Sequence, residues 1–268
     1  MTLVSLLFHD VYLQHPGESG FSSAAADRYK LSLGEFDRQL SGLAELGVEP
    51  CRLTGSAPPA SDAASLTPTL AVTVDDGGAS YYTVIASRLE ELGWRGHCFV
   101  STDFIGRRGF LSVSQLRDLD RRGHVIGTHS ASHPTRFSRM SPDEMRSEWS
   151  ESREILEDIL GHDVHVGSVP GGYFSNVVAA TAGDAGLKLL MTSEPVTWTR
   201  SVNRCTIAGR FTIRQGAPAD LARRFALPSP WTRCTAWAGW NAKALVKPLL
   251  GSSYPRVANW IQSLIPGH

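Results

Sequence analysis

Cysteine is scarce: Cys51, Cys98, Cys205 and Cys234 are the four in 268 residues, and no two form a C-x-x-C pair. That spacing offers neither a disulfide framework nor a thiolate zinc knuckle, so buried thiols are the expected reading. Long apolar runs are missing as well. Residues 1–8 are apolar but lack a basic flank and run at once into His9-Asp10. No other stretch approaches the roughly 18 apolar residues of a membrane span. The sequence therefore predicts a cytoplasmic chain, at most peripheral to a membrane. An excess of one charge is absent too, with 26 Lys+Arg against 26 Asp+Glu. No RNP-like motif or other nucleic-acid module accompanies the basic residues, and nucleic acid is not an expected partner. What is present is a composition of 42% hydrophobic and 19% charged residues, enough apolar surface to order one large core.

The balanced charge is unevenly spread. Residues 1–199 carry 16 Lys/Arg against 25 Asp/Glu, a net −9, whereas residues 200–268 carry 10 against one, a net +9. The same tail holds Trp231, Trp237, Trp240 and Trp260, with Trp198 just before it. Basic charge with Trp is the composition of membrane-surface segments, although a clear amphipathic face is also needed for anchoring. The expected organisation is a main domain over residues 1–215 and a basic, Trp-rich extension over 216–268. That extension packs on the main domain or on a membrane surface, with tail helices suggested by Leu245, Leu249, Val257, Trp260 and Ile261.

Short β-branched runs alternate with helical patterns. Residues 3–8 read as a strand, Phe36, Leu40, Leu43 and Leu46 as a helical stripe ended by Gly47, residues 48–53 as a brief extended stretch and 55–68 as a loop. Strands are then expected at 69–74, 97–101, 125–128, 165–169, 187–192 and 206–213, with helices between the first five. Ser141-Pro-Asp-Glu144 is a capping box with Pro at the first helical position, and Gly161 ends the helix it opens. Buried strands separated by helices imply parallel β-α units with right-handed crossovers, hence a β/α barrel or a doubly wound sheet. Either fold gathers its functional groups just after the strands.

Chemically competent residues do fall there. Strand 69–74 runs into Asp75-Asp76-Gly77-Gly78, strand 125–128 into His129 and then His133, and strand 165–169 into Pro170-Gly171-Gly172-Tyr173. Adjacent carboxylates repel, and a divalent cation on one of them relieves that repulsion. His129 and His133, at i and i+4, can reach one metal from a helical turn. Ser130 stands where a zincin would carry its Glu, so any base must come from elsewhere, and Asp75 or Asp76 is available. Two imidazoles and a carboxylate on a metal, with a second carboxylate beside them, are the parts of metal-assisted hydrolysis. An iron oxygenase shares the ligand types but normally places its His and carboxylate one residue apart.

In these residues the chain resembles the polysaccharide deacetylases of carbohydrate esterase family 4, the NodB homology domain. Thr73-Val-Asp-Asp-Gly77 is similar to its T-F-D-D-G motif, His129-Ser-Ala-Ser-His133-Pro134 to its H-[ST]-x-x-H-P motif, and Val169-Pro170-Gly171-Gly172 to part of its third motif. The resemblance covers about residues 69–215. It implies a deformed (β/α) barrel, usually seven-stranded, and hydrolysis of N-acetyl groups from amino sugars. It also implies one divalent ion, zinc ahead of Co, Ni, Mn or Fe, on Asp76, His129 and His133, with Asp75 as general base. Gly171, Gly172 and Tyr173 would line the substrate and oxyanion site. Two motif positions depart from the family. Ser168 stands where an Arg orients the catalytic Asp, a role Arg210 can take over, and the L-x-H motif that supplies a proton donor has no match, leaving His9 as the substitute. The implied partner is an N-acetylated sugar, a glycan or, given the tail, a lipid-linked glycan precursor. The alternative is a catalytically degenerate carbohydrate-binding barrel.

Overall fold

The computed structural model describes residues 2–55, 69–227 and 230–250, with side chains of the last helix described for residues 231–242. In chain order the elements are β1 (Leu3–Phe8), β2 (Val11–Tyr12), α1 (Ala24–Asp27), β3 (Leu31–Ser32), α2 (Leu33–Ala44) and β4 (Thr69–Val74). Then come α3 (Ala86–Glu91), β5 (His97–Val100), α4 (Val113–Arg121), β6 (Val125–Thr128), α5 (Pro142–Leu160), β7 (Val166–Ser168), α6 (Asn176–Asp184) and β8 (Leu189–Met191). The chain ends through β9 (Thr199–Val202), β10 (Cys205–Ala208), β11 (Phe211–Thr212), α7 (Leu221–Ala226) and α8 (Pro230–Leu250). Of the loop expected over 55–68, all but Gly55 lies outside the described residues, as do the tail helices expected beyond residue 250.

β1, β4, β5, β6, β7 and β8 are parallel neighbours in a curled sheet. The strand expected over 206–213 is broken in two, because it serves both ends of that curl. Thr206–Ala208 pairs with β8, whereas Phe211 and Thr212 pair with Leu6 and Leu7 of β1. The composite β10–β11 segment is thus the seventh strand of a deformed (β/α) barrel, bent at Gly209-Arg210. No sequence signal marks β9, the antiparallel outer neighbour of β10.

Local chemistry explains the element ends. Ser141 and Glu144 form the reciprocal capping box that opens α5, and Gly161 closes it at φ +78. The same Ser-to-acid or amide device starts α2 (Ser32, Glu35) and α4 (Ser112, Gln115). Inward-facing residues from the strands, Leu3, Ala71, Phe99, Val125, Val166, Leu189 and Ala208, form one cluster, and Leu53 sits among them. Residues 48–53, expected as a brief extended stretch, do not join the sheet as a strand: Cys51 N–H bonds to Leu70 O, while Leu53 donates to His97 Nε2 at 2.8 Å and is 1% exposed. This segment trades strand pairing for filling the barrel near the first residues of the strands.

Outside the sheet, Phe211, Ala222, Phe225 and Ala226 share the main cluster with α2, so the core continues past residue 215 into the start of the expected extension. Cys98 and Cys205 are buried and Cys51 half-buried, but Cys234 is exposed on α8, against the reading of all four as buried thiols. Trp149 on α5, fully buried and 4.7 Å from the Phe137 ring, anchors the loop after β6. Trp149→Ala should therefore cost about 3–5 kcal/mol of unfolding free energy in urea titration; a loss within experimental error would contradict this packing.

Candidate active site

Asp75 and Asp76 follow β4 and turn to different partners. Asp75 is paired by Arg210, whose Nη1 and Nη2 donate to its two carboxylate oxygens at 2.6 and 2.8 Å. Arg210 is fully buried, and its Nε donates to Thr192 O at 3.0 Å. The bend between β10 and β11 delivers this guanidinium into the barrel, where it also lies 5.6 Å over the Phe99 ring. Burial pushes the Asp75 carboxyl up, but Arg210 and His129 outweigh burial and hold it below its ordinary range.

Asp76 faces the imidazoles. Its Oδ1 lies 3.4 Å from His129 Nε2 and 3.5 Å from His133 Nε2, and the three ligand atoms lie within 4.8 Å of one another. Burial raises the Asp76 carboxyl, and its contacts with the two His rings more than reverse that, leaving it well below the ordinary value. His129 Nδ1 lies 3.0 Å from Ser168 O; a carbonyl only accepts, so this nitrogen carries a proton, and the other nitrogen, Nε2, is the one turned to Asp76 and free to bind a cation in the neutral ring. Ser168 Oγ also contacts His129 Nδ1 and donates to Asp75 Oδ1 at 3.0 Å. A carboxylate oxygen and a bare imidazole nitrogen pointed at each other repel unless a proton or cation lies between them. The donor set therefore fits a divalent ion of the kind that His and carboxylate ligands hold.

The backbone that makes this cluster is strained. Among the described residues only four other than Gly have positive φ, and three belong here: Asp76 (φ +79), Ser130 (+65) and His133 (+54). The His pair accordingly sits on a bent loop and not on the helical turn expected from its i, i+4 spacing. That loop is pinned by Ser130 N–H to Thr128 Oγ1 at 3.0 Å and by Ser132, whose N–H and Oγ donate to Glu148 on α5.

His9, just after β1, is half-buried and lies in the field of Asp76, Asp75, Arg210 and His129; burial of its ring is the larger influence and lowers its pKa. Its Nδ1 has no hydrogen-bond partner among the described residues. Gly171 and Gly172 both take left-handed φ (+61 and +68) after β7, and the Tyr173 ring lies against Gly171. The structure therefore gathers Asp75, Asp76, His129, His133 and Arg210 by direct contact, brings His9 within their field and sets the Gly-Gly turn on the strand end beside Ser168.

Other neighbours were not singled out from the sequence. Phe21 packs on His133 with ring centroids 4.7 Å apart and meets Phe104 and Phe110 at 4.7 and 5.1 Å. Its loop is held by Lys30, whose buried Nζ donates to the carbonyls of Pro16, Ser19 and Phe21. Asp10 accepts from Ser19 and Ser80, and burial raises its pKa to about 6 against those bonds. An Asp directly after a strand was a legible signal; the Phe cluster and buried Lys30 come from separate loops and leave none.

Comparison with known proteins bears on family and fold. The family model for polysaccharide deacetylase matches residues 63–190. Over that stretch, just under half of its length, the chain is similar to the polysaccharide deacetylase family. Among curated relatives, the Bacillus subtilis protein YxkH, provisionally named a polysaccharide deacetylase, is 23% identical over 46% of this chain and 44% of its own length. A gellan lyase from a Bacillus species is 28% identical over 34% of this chain and 3% of its own length. The matches thus span less than half of either curated relative. Solved structures share the fold: a Streptococcus pyogenes deacetylase, PplD, in complex with acetate (TM-score 0.64, 16% identity, 85% of this chain and 99% of that one). A polysaccharide deacetylase from Bacillus cereus is similar (TM-score 0.68, 16% identity, 84% and 69%).

The Asp75–Arg210 pair carries a pH signature. Because the folded Asp75 value is lowered, its contribution is present above the unfolded value of about 3.9 and is lost as pH falls through the folded one. Arg210→Gln leaves a buried carboxylate unpaired and should cost about 3–5 kcal/mol at pH 7. Burial then raises Asp75, so the deficit relative to the parent should shrink as pH falls toward about 4. Urea unfolding at several pH values measures it, and a pH-independent deficit would contradict the assignment.

Proposed function

We propose that this chain is a metal-dependent hydrolase that removes N-acetyl groups from an amino sugar or glycan. The observation that carries the reading is the Asp76, His129 and His133 cluster, within 4.8 Å, beside a second carboxylate already neutralised by Arg210. Asp76, His129 and His133 would hold the ion, with zinc the best match to two imidazoles and one carboxylate. When bound, such an ion supplies Lewis acidity, acidifying the attacking water and polarising the amide carbonyl.

The chain's own groups supply the rest. A carboxylate held below its ordinary range is a weak base, so Asp75 can deprotonate only a water that has been made acidic; base and ligand set depend on each other. Asp75 takes that proton at Oδ2, the oxygen 3.9 Å from His129 Nε2, while Ser168 and Arg210 Nη1 remain on Oδ1. Once protonated it can return the proton to the departing amine. His9 enters the scheme as a neighbouring imidazole whose neutral form, favoured by burial, suits it to accept or orient a proton more than to deliver one at rest. The Gly171-Gly172-Tyr173 turn forms the substrate and oxyanion side, where a backbone N–H can stabilise developing charge without any particular side chain.

A lipid-linked amino sugar at a membrane surface is the substrate source we favour. Its support is the net +9 of residues 200–268 and the exposure of Trp231 and Trp237 on α8. No helix among the described residues is long and apolar enough to cross a membrane.

Incubation with N-acetylated amino-sugar oligomers and zinc should release acetate. Asp75→Asn should lower kcat by about 10²–10⁴-fold. Glycan binding with no acetate release under any divalent ion would instead identify a binding-only barrel.

A further inference from the structure

Helix α8 brings a side chain to the site from outside the strand ends. Arg233 fastens the helix to the end of α7, with its Nε donating to Phe225 O at 2.9 Å and Nη2 to Leu227 O at 2.7 Å. Ala236, three residues on, packs against the main apolar cluster. Trp240, four residues further and on the same helical face, reaches past that cluster to the Gly-Gly turn. A Cβ built on Gly172 would sit 3.4 Å from Trp240 Cη2 and 3.3 Å from Ser193 Oγ, and one on Gly171 would sit 3.2 Å from the Tyr173 ring. The two consecutive left-handed glycines are therefore bracketed by Tyr173 on one side and the Trp240 indole on the other. Trp231, nine residues before Trp240 and on the opposite side of the helix, is 78% exposed, and Trp237, three residues before it, is 48% exposed; of the three it is Trp240 that meets Gly172.

We propose that Trp240 is a sugar-binding residue, its indole forming the wall of the substrate site beyond Gly172. The inference rests on the functional reading above and deepens it, since it makes α8 part of the substrate site. An indole offers a wide, rigid apolar surface with a polar N–H at its edge. A pyranose presents the matching chemistry, a C–H face with hydroxyls around its rim, and sites for such ligands combine aromatic walls with a few polar groups. At Gly172 the absence of a side chain lets the ring lie directly against the backbone. Ser193 adds a hydroxyl at the same edge.

The test compares Trp240→Phe and Trp240→Ala with the parent and with Cys234→Ser, an exposed change on the same helix. With an N-acetylglucosamine oligomer, Trp240→Ala should raise KM about tenfold with kcat nearly unchanged. Trp240→Phe should recover most of that loss, and Cys234→Ser should match the parent. In zinc-free protein the same oligomer should change the intrinsic Trp fluorescence saturably in the parent, with that change missing from Trp240→Phe. An unchanged KM in Trp240→Ala, no saturable change in the parent, or the same change in Trp240→Phe overturns the proposal. Thermal melts show whether each variant is folded, and Trp240→Phe keeps the test decisive if Trp240→Ala unfolds. Failure of acetate release by the parent counts against the hydrolase reading, whereas the fluorescence result judges Trp240 alone.

Discussion

A guanidinium with no exposed surface grips both oxygens of one of two adjacent carboxylates, and the remainder of the site follows from that grip. Two neighbouring acids buried without compensation would force one to take a proton. Arg210 settles which stays charged without further help: Asp75 is neutralised in place, and Asp76 is left to seek its positive partner among His129, His133 and whatever lies between them. The residue that does this arrives through barrel closure. The chain must leave β8, bend and reach β1, and the bend at Gly209-Arg210 turns Arg210 inward. Closing the sheet and setting the charge of the site are one structural event, so loosening either should loosen both.

Precision at the ligands is obtained at the expense of backbone comfort. Asp76, Ser130 and His133 hold left-handed conformations that cost of order 1–3 kcal/mol each and persist only where the surroundings over-determine them. The surroundings here are specific. Glu148 ties the loop between the two His residues to α5, Trp149 on the next position packs on Phe137 further along that connection, and Phe21, backed by Phe104 and Phe110, packs on His133. Ser168 links His129 to Asp75, so the ligand ring and the neighbouring carboxylate share one hydroxyl. A site so cross-linked is held in place by the chain's own bonds.

Local patterns made much of this legible. Parallel β-α units, the capping box at Ser141 and the placement of chemistry at strand ends could all be read because each depends on neighbours in sequence. Arg210 could be suspected only through the resemblance, which calls for an Arg beside the catalytic Asp and finds Ser168 at that motif position. Sequence could not show that the last strand would split, because its two halves answer to partners nearly 200 residues apart. Nor could it show that residues 48–53 would plug the barrel in place of pairing as a strand, a choice made by the cavity that Leu53 fills. Spacing suggested a helical turn for His129 and His133, yet Ser130 and His133 take left-handed backbone, which spacing cannot reveal. Trp240 reads as one Trp among several until α8 is fastened by Arg233 and its face fixed.

The division of labour between the adjacent acids is most directly tested by zinc titration calorimetry on the parent, Asp75→Asn and Asp76→Asn. The account predicts one ion per chain in the parent, retained in Asp75→Asn and lost in Asp76→Asn. No binding to the parent, or loss in Asp75→Asn with retention in Asp76→Asn, would contradict it.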